Sequence, residues 1–323
     1  MSKIRMAVVG AGQFGRRHMR VIRECERAEL VAAVDTNEAN AEQAAAEFGC
    51  SHATSVAELA GKIDAAIVAV PTTAHAEVGC ALMEAGVDVL VEKPIAPDLA
   101  SAQRLVDAAA KHGRILQAGH LERFNPAITA LAAISKLPLF FEIHRLSVFT
   151  PRSLDVDVVL DLMIHDLDIV LALVGQAPTE IQAAGISILS RKVDIANVRL
   201  AFANGCIANL TASRVSTERV RKLRLFQPRE YISVDYTRQE IHVLKVGEDH
   251  QIHFQPLTVE TKEPLRLELE SFFDSVETRT RPRVAGEDAM RALEVALGIL
   301  GKIEEHTRLV AQTVAAYRAS HGA

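Results

Sequence analysis

Residues 4–35 read IRMAVVGAGQFGRRHMRVIRECERAELVAAVD, and the glycines in this stretch limit the fold more than any other feature. Gly10, Gly12 and Gly15 stand in G-x-G-x-x-G spacing between a short apolar run and a helical pattern. A chain that leaves a strand and enters a helix across so few residues has little room for side chains. Gly10 permits the tight turn, Gly12 lets backbone approach a pyrophosphate, and Gly15 lets the helix pack against the strand. The exposed N–H groups of the new helix favour an anion. Gln13 and Phe14 lie inside the same loop and count with the glycines as cofactor-binding residues. Asp35 ends the next apolar run, where a carboxylate accepts the ribose 2′-hydroxyl and repels a 2′-phosphate. The predicted cofactor is therefore NAD in preference to NADP, with Arg16 close enough to temper that preference.

Further apolar runs at 64–70, 87–92 and 114–119 alternate with helical patterns at 38–48, 74–85 and 99–112. This alternation predicts a parallel sheet with helices on both faces. After about Gly119 the pattern changes. A linking helix begins near Pro126, a long strand covers 139–149, an apolar helix carrying acids covers 158–174, and strands dominate 180–260. Asn204-Gly205 signals a two-residue hairpin, and two helices, 265–279 and 287–306, finish the pattern. The expected fold is α/β: an N-terminal Rossmann dinucleotide-binding domain over 1–120, then an α/β domain with a large open, mainly antiparallel sheet over 121–323.

Composition narrows the function. The 323-residue chain has a formal net charge of -5, no tryptophan and 4% aromatics, which argues against a nucleic-acid or membrane-surface binder. Cys25, Cys50, Cys80 and Cys206 form no C-x-x-C pair, and the apolar N-terminal run is too short for a signal peptide. No apolar stretch reaches the ~18 residues of a membrane span, so a cytoplasmic protein is expected.

Two groups of residues carry candidate chemistry. Glu92-Lys93-Pro94 ends an apolar strand, the place where open α/β sheets bind ligands. The Lys93–Pro94 bond is of the type that adopts cis, which would aim the amine sharply. In LDLMIHDLD, Asp161 and His165 are spaced i and i+4 and share a helix face, with Asp168 further on. A histidine there can exchange an alcohol proton at neutral pH, whereas Asp168 reads better as an anchor for neighbouring backbone. The pattern lacks the companions of a metal site. Pro71 and Thr72 follow another strand and count with the cofactor cleft, while His75 is expected only to cap or stabilise its helix.

Taken together, Gly10-x-Gly12-x-x-Gly15, Glu92-Lys93-Pro94 and Asp161-x-x-x-His165 resemble the glucose–fructose oxidoreductase / inositol dehydrogenase (Gfo/Idh/MocA) family over nearly the whole chain. The resemblance implies that Lys93, Asp161 and His165 face the reacting carbon of a sugar. It also places Glu92 and Lys93 beside the cofactor, and implies a homo-oligomer, dimer or tetramer, formed through the open sheet. GHLERFNPA (119–127) and FTPRSLDVDVVLDLMIHDLDIV (149–170) resemble the branch that contains UDP-N-acetylglucosamine 3-dehydrogenases. Those enzymes oxidise the sugar 3-hydroxyl ahead of an aminotransferase on the way to lipid A-type molecules. A nucleotide-sugar substrate follows, with His120, Arg123 and Asn125 as further substrate-binding residues. Arg123 suits a phosphate or hydroxyls, and Asn125 suits sugar groups or the cap of the helix at Pro126.

Hydride transfer from a sugar carbon to NAD requires loss of the hydroxyl proton. His165 oriented by Asp161 is one candidate base and Lys93 the other, the lysine otherwise stabilising charge on oxygen. None of Tyr231, Tyr236 and Tyr317 is followed by the lysine of a Y-x-x-x-K dehydrogenase. Dehydrogenation of another sugar or cyclitol, and a non-catalytic sensor of NAD or sugar nucleotides, are the competing functions.

Overall fold

The computed structural model describes residues 3–150 and 156–321. Residues 151–155 of the FTPRSLD segment therefore lie outside it. The chain forms two compact units. The first takes the chain up to Phe124 together with Lys262–Leu293, and the second takes Asn125–Thr261 with the chain from Glu294 onward.

In the first unit, β1 (Ile4–Val9), α1 (Gln13–Glu24), β2 (Ala28–Val34), α2 (Glu38–Phe48), β3 (Ser51–Ala53) and β4 (Ala65–Val68) are followed by α3 (His75–Glu84), β5 (Asp88–Glu92), α4 (Leu99–His112) and β6 (Leu116–Gly119). The six strands are all parallel in the order β3-β2-β1-β4-β5-β6. Met6–Val9 of β1 and all of β4 are enclosed on both faces, which is why they read as unbroken apolar runs. Strand order reverses between β1 and β4, and the crevice outside their C-terminal ends is where this architecture receives ligands. The helices start and stop where the sequence supplies caps: Asn37 accepts from Asn40 N–H, Asp98 accepts from Ser101 N–H, and Gly49 and Gly113 end their helices in the left-handed conformation.

A single cut near residue 120 does not describe this unit, because α7 (Pro264–Thr278) returns to it. Leu269, Phe272 and Phe273 pack into the same core as Met19, Ile22 and Ile67. Each buried phenylalanine contributes about 1.5–3 kcal/mol. Around them Arg27 pairs with Asp274 at 2.8 Å and Glu277 at 2.7 Å, and Gln117 Nε2 donates to the Glu268 carbonyl at 3.2 Å. The helical period of 265–279 identifies the helix but carries no signal for which sheet it covers.

The second unit holds α5 (Pro126–Ile134), β7 (Phe140–Val148), α6 (Ile164–Val174), β8 (Glu180–Ile186), β9 (Ile195–Ala201), β10 (Ile207–Ser216), β11 (Val220–Gln227), β12 (Glu230–Asp235), β13 (Glu240–Val246) and β14 (Ile252–Leu257). Its sheet runs β14-β13-β12-β11-β7-β10-β9-β8 and is antiparallel except for the β7–β10 pair. One face carries Phe141, Ile143, Ala208, Leu210 and Leu223 into the core, where Val295, Ala296 and Ile299 of the final helix, α8 (Gly286–His321), meet them. That helix runs fifteen residues beyond the expected end at 306; no glycine or proline interrupts it there, and alanines are frequent. The β9–β10 turn also differs from expectation. Phe202 N–H bonds the Cys206 carbonyl and Gly205 N–H bonds the Phe202 carbonyl, so three residues form the loop, with Gly205 at φ +84° in the left-handed position.

One charge interrupts the apolar register of β7. Arg145 continues the inward series Phe141–Ile143 and is 1% exposed. Its Nε and Nη2 reach the Asp166 carboxylate at 2.7 and 2.8 Å, its guanidinium lies 4.9 Å from the centre of the Tyr236 ring, and Tyr236 Oη–H donates to Asp166 at 3.0 Å. A buried pair of this kind contributes little net stability while intact, but an isolated member is expensive. Arg145→Met is expected to lower stability in urea unfolding by roughly 3–5 kcal/mol, and Arg145→Met with Asp166→Leu to recover most of that loss.

Candidate active site

The cofactor loop is built from backbone approaching backbone. Gly10 has φ +102°, and a Cβ there would stand 2.5 Å from the Ala69 carbonyl oxygen; a Cβ on Gly15 would stand 1.8 Å from that of Gly10. A Cβ on Gly12, at the cap position of α1, meets nothing within 4 Å, which leaves room at the helix N-terminus for a bulky anion. Gly10 N–H bonds the Val34 carbonyl at 2.7 Å, and Asp35 completes the tie: its Oδ2 accepts Ala11 N–H and its Oδ1 accepts Asn37 N–H, both at 2.9 Å. The carboxylate is thereby aimed, and each oxygen keeps a second lone pair for a ribose hydroxyl.

A cavity of about 740 Å³ opens over this loop, walled by Gly10, Gly12, Gln13, Phe14, Asp35 and Pro71. Thr54, Ser55, Val56 and Thr73 also line it without having been expected; they lie in or just before single 3-10 turns, too short to carry a periodic signal. Thr72, expected here, gives its place to Thr73 and Ala74. Arg16 is held away from any 2′-phosphate role: Nε donates to the Ala11 carbonyl at 3.2 Å, Nη2 to Gln43 at 3.1 Å, and Nη1 pairs with Glu47. The open cap, the aimed carboxylate and the cavity fit a dinucleotide with a free 2′-hydroxyl.

Lys93 follows β5 at the same end of the sheet, half-buried, with a cis bond to Pro94. Neither Lys93 nor Glu92 is among the residues that wall the cofactor cavity. Glu92 turns inward, where His18 Nε2–H donates to its Oε1 at 2.7 Å and Lys93 N–H donates to its Oε2 at 3.2 Å. Burial acts to raise the Glu92 carboxyl, but the His18 bond and charge and the Lys93 ammonium outweigh it and hold the group below its ordinary value. Beyond lies Glu268 of α7, fully buried, with both carboxyl oxygens, Gln117 Oε1 and His18 Nδ1 enclosed and unmatched. Burial first, and the negative charge of Glu92 second, push the Glu268 carboxyl well above its usual range and favour its neutral form.

The second unit presents Asp161 and His165 on one stretch, but not on a uniform α-helix. Val159–Met163 forms a π-turn in which Ile164 N–H bonds the Val159 carbonyl, and α6 follows directly. Wide turns of this kind concentrate at functional sites. Asp161 is half-buried, His165 is 8% exposed, and Asp168 is 2% exposed. Asp166, adjacent to His165, ties this helix to β7 through Arg145 and to Tyr236 by a direct bond. Asn125 takes the cap role: its Oδ1 accepts Ala127 N–H at the start of α5, and its Nδ2 donates to the Tyr236 carbonyl at 3.0 Å. In the first unit His120 is fully buried, and Arg123 Nη2 lies 3.4 Å from the Arg283 carbonyl.

The glycine loop, the aspartate and the cavity define a dinucleotide-binding protein. Residues 4–120 match the family model described as "Oxidoreductase family, NAD-binding Rossmann fold", and residues 142–232 match the GFO/IDH/MocA C-terminal domain. The chain is 33% identical to the UDP-N-acetylglucosamine 3-dehydrogenase of Acidithiobacillus ferrooxidans over 94% of its own length and 98% of that protein. A solved structure of that enzyme superposes with a TM-score of 0.90 at 34% identity, covering 95% and 99% of the two chains. The inositol 2-dehydrogenase of Rhizobium meliloti is 24% identical over 95% and 98%. An Agrobacterium radiobacter oxidoreductase solved with NAD+, L-tartaric acid and magnesium shares the fold, with a TM-score of 0.84 at 16% identity over 94% and 97%. The chain belongs to the GFO/IDH/MocA oxidoreductase family. Among the described residues no helix is long and apolar enough to cross a membrane.

The raised Glu268 carboxyl has a consequence for stability. Its folded value lies above the ordinary 4.5, so between the two values the folded chain holds a proton that the unfolded chain has released. Stability contributed by this group is complete below about 4.5 and is lost as pH rises toward the folded value. Glu268→Gln, an uncharged isostere, is expected to gain on the wild type as pH increases, and thermal melts at pH ~5 and ~8 measure the widening gap.

Proposed function

We propose that the protein is an NAD-dependent dehydrogenase of a nucleotide sugar that oxidises the 3-hydroxyl of UDP-N-acetylglucosamine to the 3-keto sugar. The observation that carries this reading is the likeness to the Acidithiobacillus ferrooxidans enzyme across both units at 33% identity. The paired chemistry of Lys93 and Asp161-x-x-x-His165 supports it.

In this reading the start of α1 and the Gly12 backbone hold the cofactor diphosphate, and Asp35 holds the ribose. NAD, when bound, takes up the hydride. Lys93 donates to the sugar oxygen and stabilises the negative charge that grows there. His165 receives the hydroxyl proton, with Asp161 favouring the imidazolium that forms; the opposite assignment, Lys93 as immediate base and His165 as relay, uses the same residues. Arg123 pairs with the substrate diphosphate, and His120 borders the reacting sugar. The product carbonyl suits amination to a 3-amino sugar on the way to lipid A-type molecules. The enzyme is placed in the cytoplasm, where nicotinamide dinucleotides circulate.

The experiment is to mix protein, NAD and UDP-N-acetylglucosamine and follow formation of the reduced nicotinamide. Inositol and other free and nucleotide-linked sugars form the remaining arms, because an inositol dehydrogenase aligns over nearly the full length. Turnover with inositol alone reassigns the substrate, and NAD binding without reduction of any member points to a sensor. Lys93→Met is expected to lower kcat roughly 100- to 1,000-fold while the Kd for NAD stays within about threefold; unchanged turnover rejects the proposed role.

We also propose a homo-oligomer, dimer or tetramer, formed through the outer face of the eight-stranded sheet. That face carries Phe140, Phe226 and Tyr231 with ring centres 5.8 and 5.0 Å apart, and Ile252 and Phe254 are 70% and 61% exposed. Apolar surface of this extent on one face supports an interface. Light scattering is expected to give a multiple of the chain mass, reduced toward one chain by Phe226→Glu with Phe254→Glu.

A further inference from the structure

The roles assigned so far leave one buried histidine of the first unit unused. His75 is the first residue of α3 and is 1% exposed. Its side chain does not cap its own helix. Nδ1 lies 3.0 Å from the Pro94 carbonyl oxygen, and Nε2 lies 2.9 Å from the Val70 carbonyl oxygen. Both partners only accept, so a ring nitrogen bonds either of them only when it carries hydrogen. A neutral imidazole has one N–H and an imidazolium has two. Burial draws this ring toward the neutral form, against the pull of the Val70, Pro94 and Ile95 backbone and the Glu92 carboxylate, and the neutral ring donates to one of the two carbonyls.

The two carbonyls belong to successive loops. Val70 follows β4 and walls the dinucleotide cavity. Pro94 follows Lys93 directly, and a proline has no N–H with which to fasten itself. The carbonyl of Pro94 is thus an anchor for the peptide carrying the amine, and His75 grips it from the neighbouring loop.

We infer that His75 is a positioning residue for Lys93: its one ring N–H, carried on Nδ1, donates to the Pro94 carbonyl and holds the segment that bears the amine. The inference rests on the role proposed above for Lys93. Displacement of a reacting group by ~1 Å lowers turnover on the order of 100-fold, so the clamp acts on kcat more than on affinity.

Two substitutions separate the two nitrogen positions, because asparagine places its amide near Nδ1 and glutamine near Nε2. His75→Gln reaches Val70 and releases Pro94. It is expected to lower kcat about 10- to 100-fold with the Kd for NAD within about threefold of wild type. His75→Asn keeps the hold on Pro94 and is expected to restore kcat to within about threefold. The inference is overturned if both variants turn over like wild type, or if both lose kcat, NAD affinity and melting temperature in parallel. Lys93→Met serves as the control. An inactive Lys93→Met beside a fully active His75→Gln removes only the clamp, whereas an active Lys93→Met removes the lysine's role itself. Should either His75 variant fail to fold, histidine nitrogen–proton NMR of the wild-type protein decides: a slowly exchanging proton on His75 Nδ1 supports the grip on Pro94, and an Nδ1 without a proton overturns it.

Discussion

The contact between main-chain atoms at Gly10 and Gly15 is the constraint from which the cofactor cleft follows. With a Cβ 2.5 Å from the Ala69 carbonyl at one glycine and 1.8 Å from the Gly10 carbonyl at the other, no larger residue fits without moving β1, β4 or α1. The closeness brings the start of α1 to the reversal point of the sheet. It also brings Ala11 N–H within 2.9 Å of Asp35, so one carboxylate both seals the loop and lines the cavity over it. Phosphate recognition and ribose recognition are consequences of one packing arrangement.

The first unit was legible because its signals are local. A glycine pattern, a strand-ending acid and a strand-ending E-K-P each state their geometry within a few residues, and the parallel sheet follows from alternation. The second unit showed its strands and the helix bearing Asp161 and His165, but not the π-turn, since a one-residue widening leaves the apolar pattern nearly unchanged. The return of α7 to the first unit was not legible. Period identifies an apolar stripe and says nothing of which surface the stripe covers.

Polar residues inside apolar stripes were the signal left unread. His18 sits in the series Gly15–His18–Met19–Ile22, Glu268 in Leu265–Glu268–Leu269–Phe272, and Arg145 in Phe141–Ile143–Arg145. Each spacing sends a titratable side chain into a core, where it needs a partner or must lose its charge. The three meet different fates. His18 bonds Glu92, Arg145 is matched by Asp166 and Tyr236, and Glu268, unmatched, is pushed by burial toward its neutral form. The first and last lie behind the peptide of Lys93, and the second holds the helix that carries His165. Such networks fix backbone more firmly than apolar contacts do, because every bond has a direction.

The return of α7 also bears on how the protein is made. A ribosome that has extruded residues 1–124 has released every strand of the dinucleotide-binding sheet, but not Leu269, Phe272 and Phe273, which close its core. Those side chains follow only after the whole intervening sheet has been translated, roughly ten seconds later at ordinary elongation rates. Through that interval the nascent sheet carries an uncovered apolar face, and chaperones that recognise such faces have their opportunity then rather than after release.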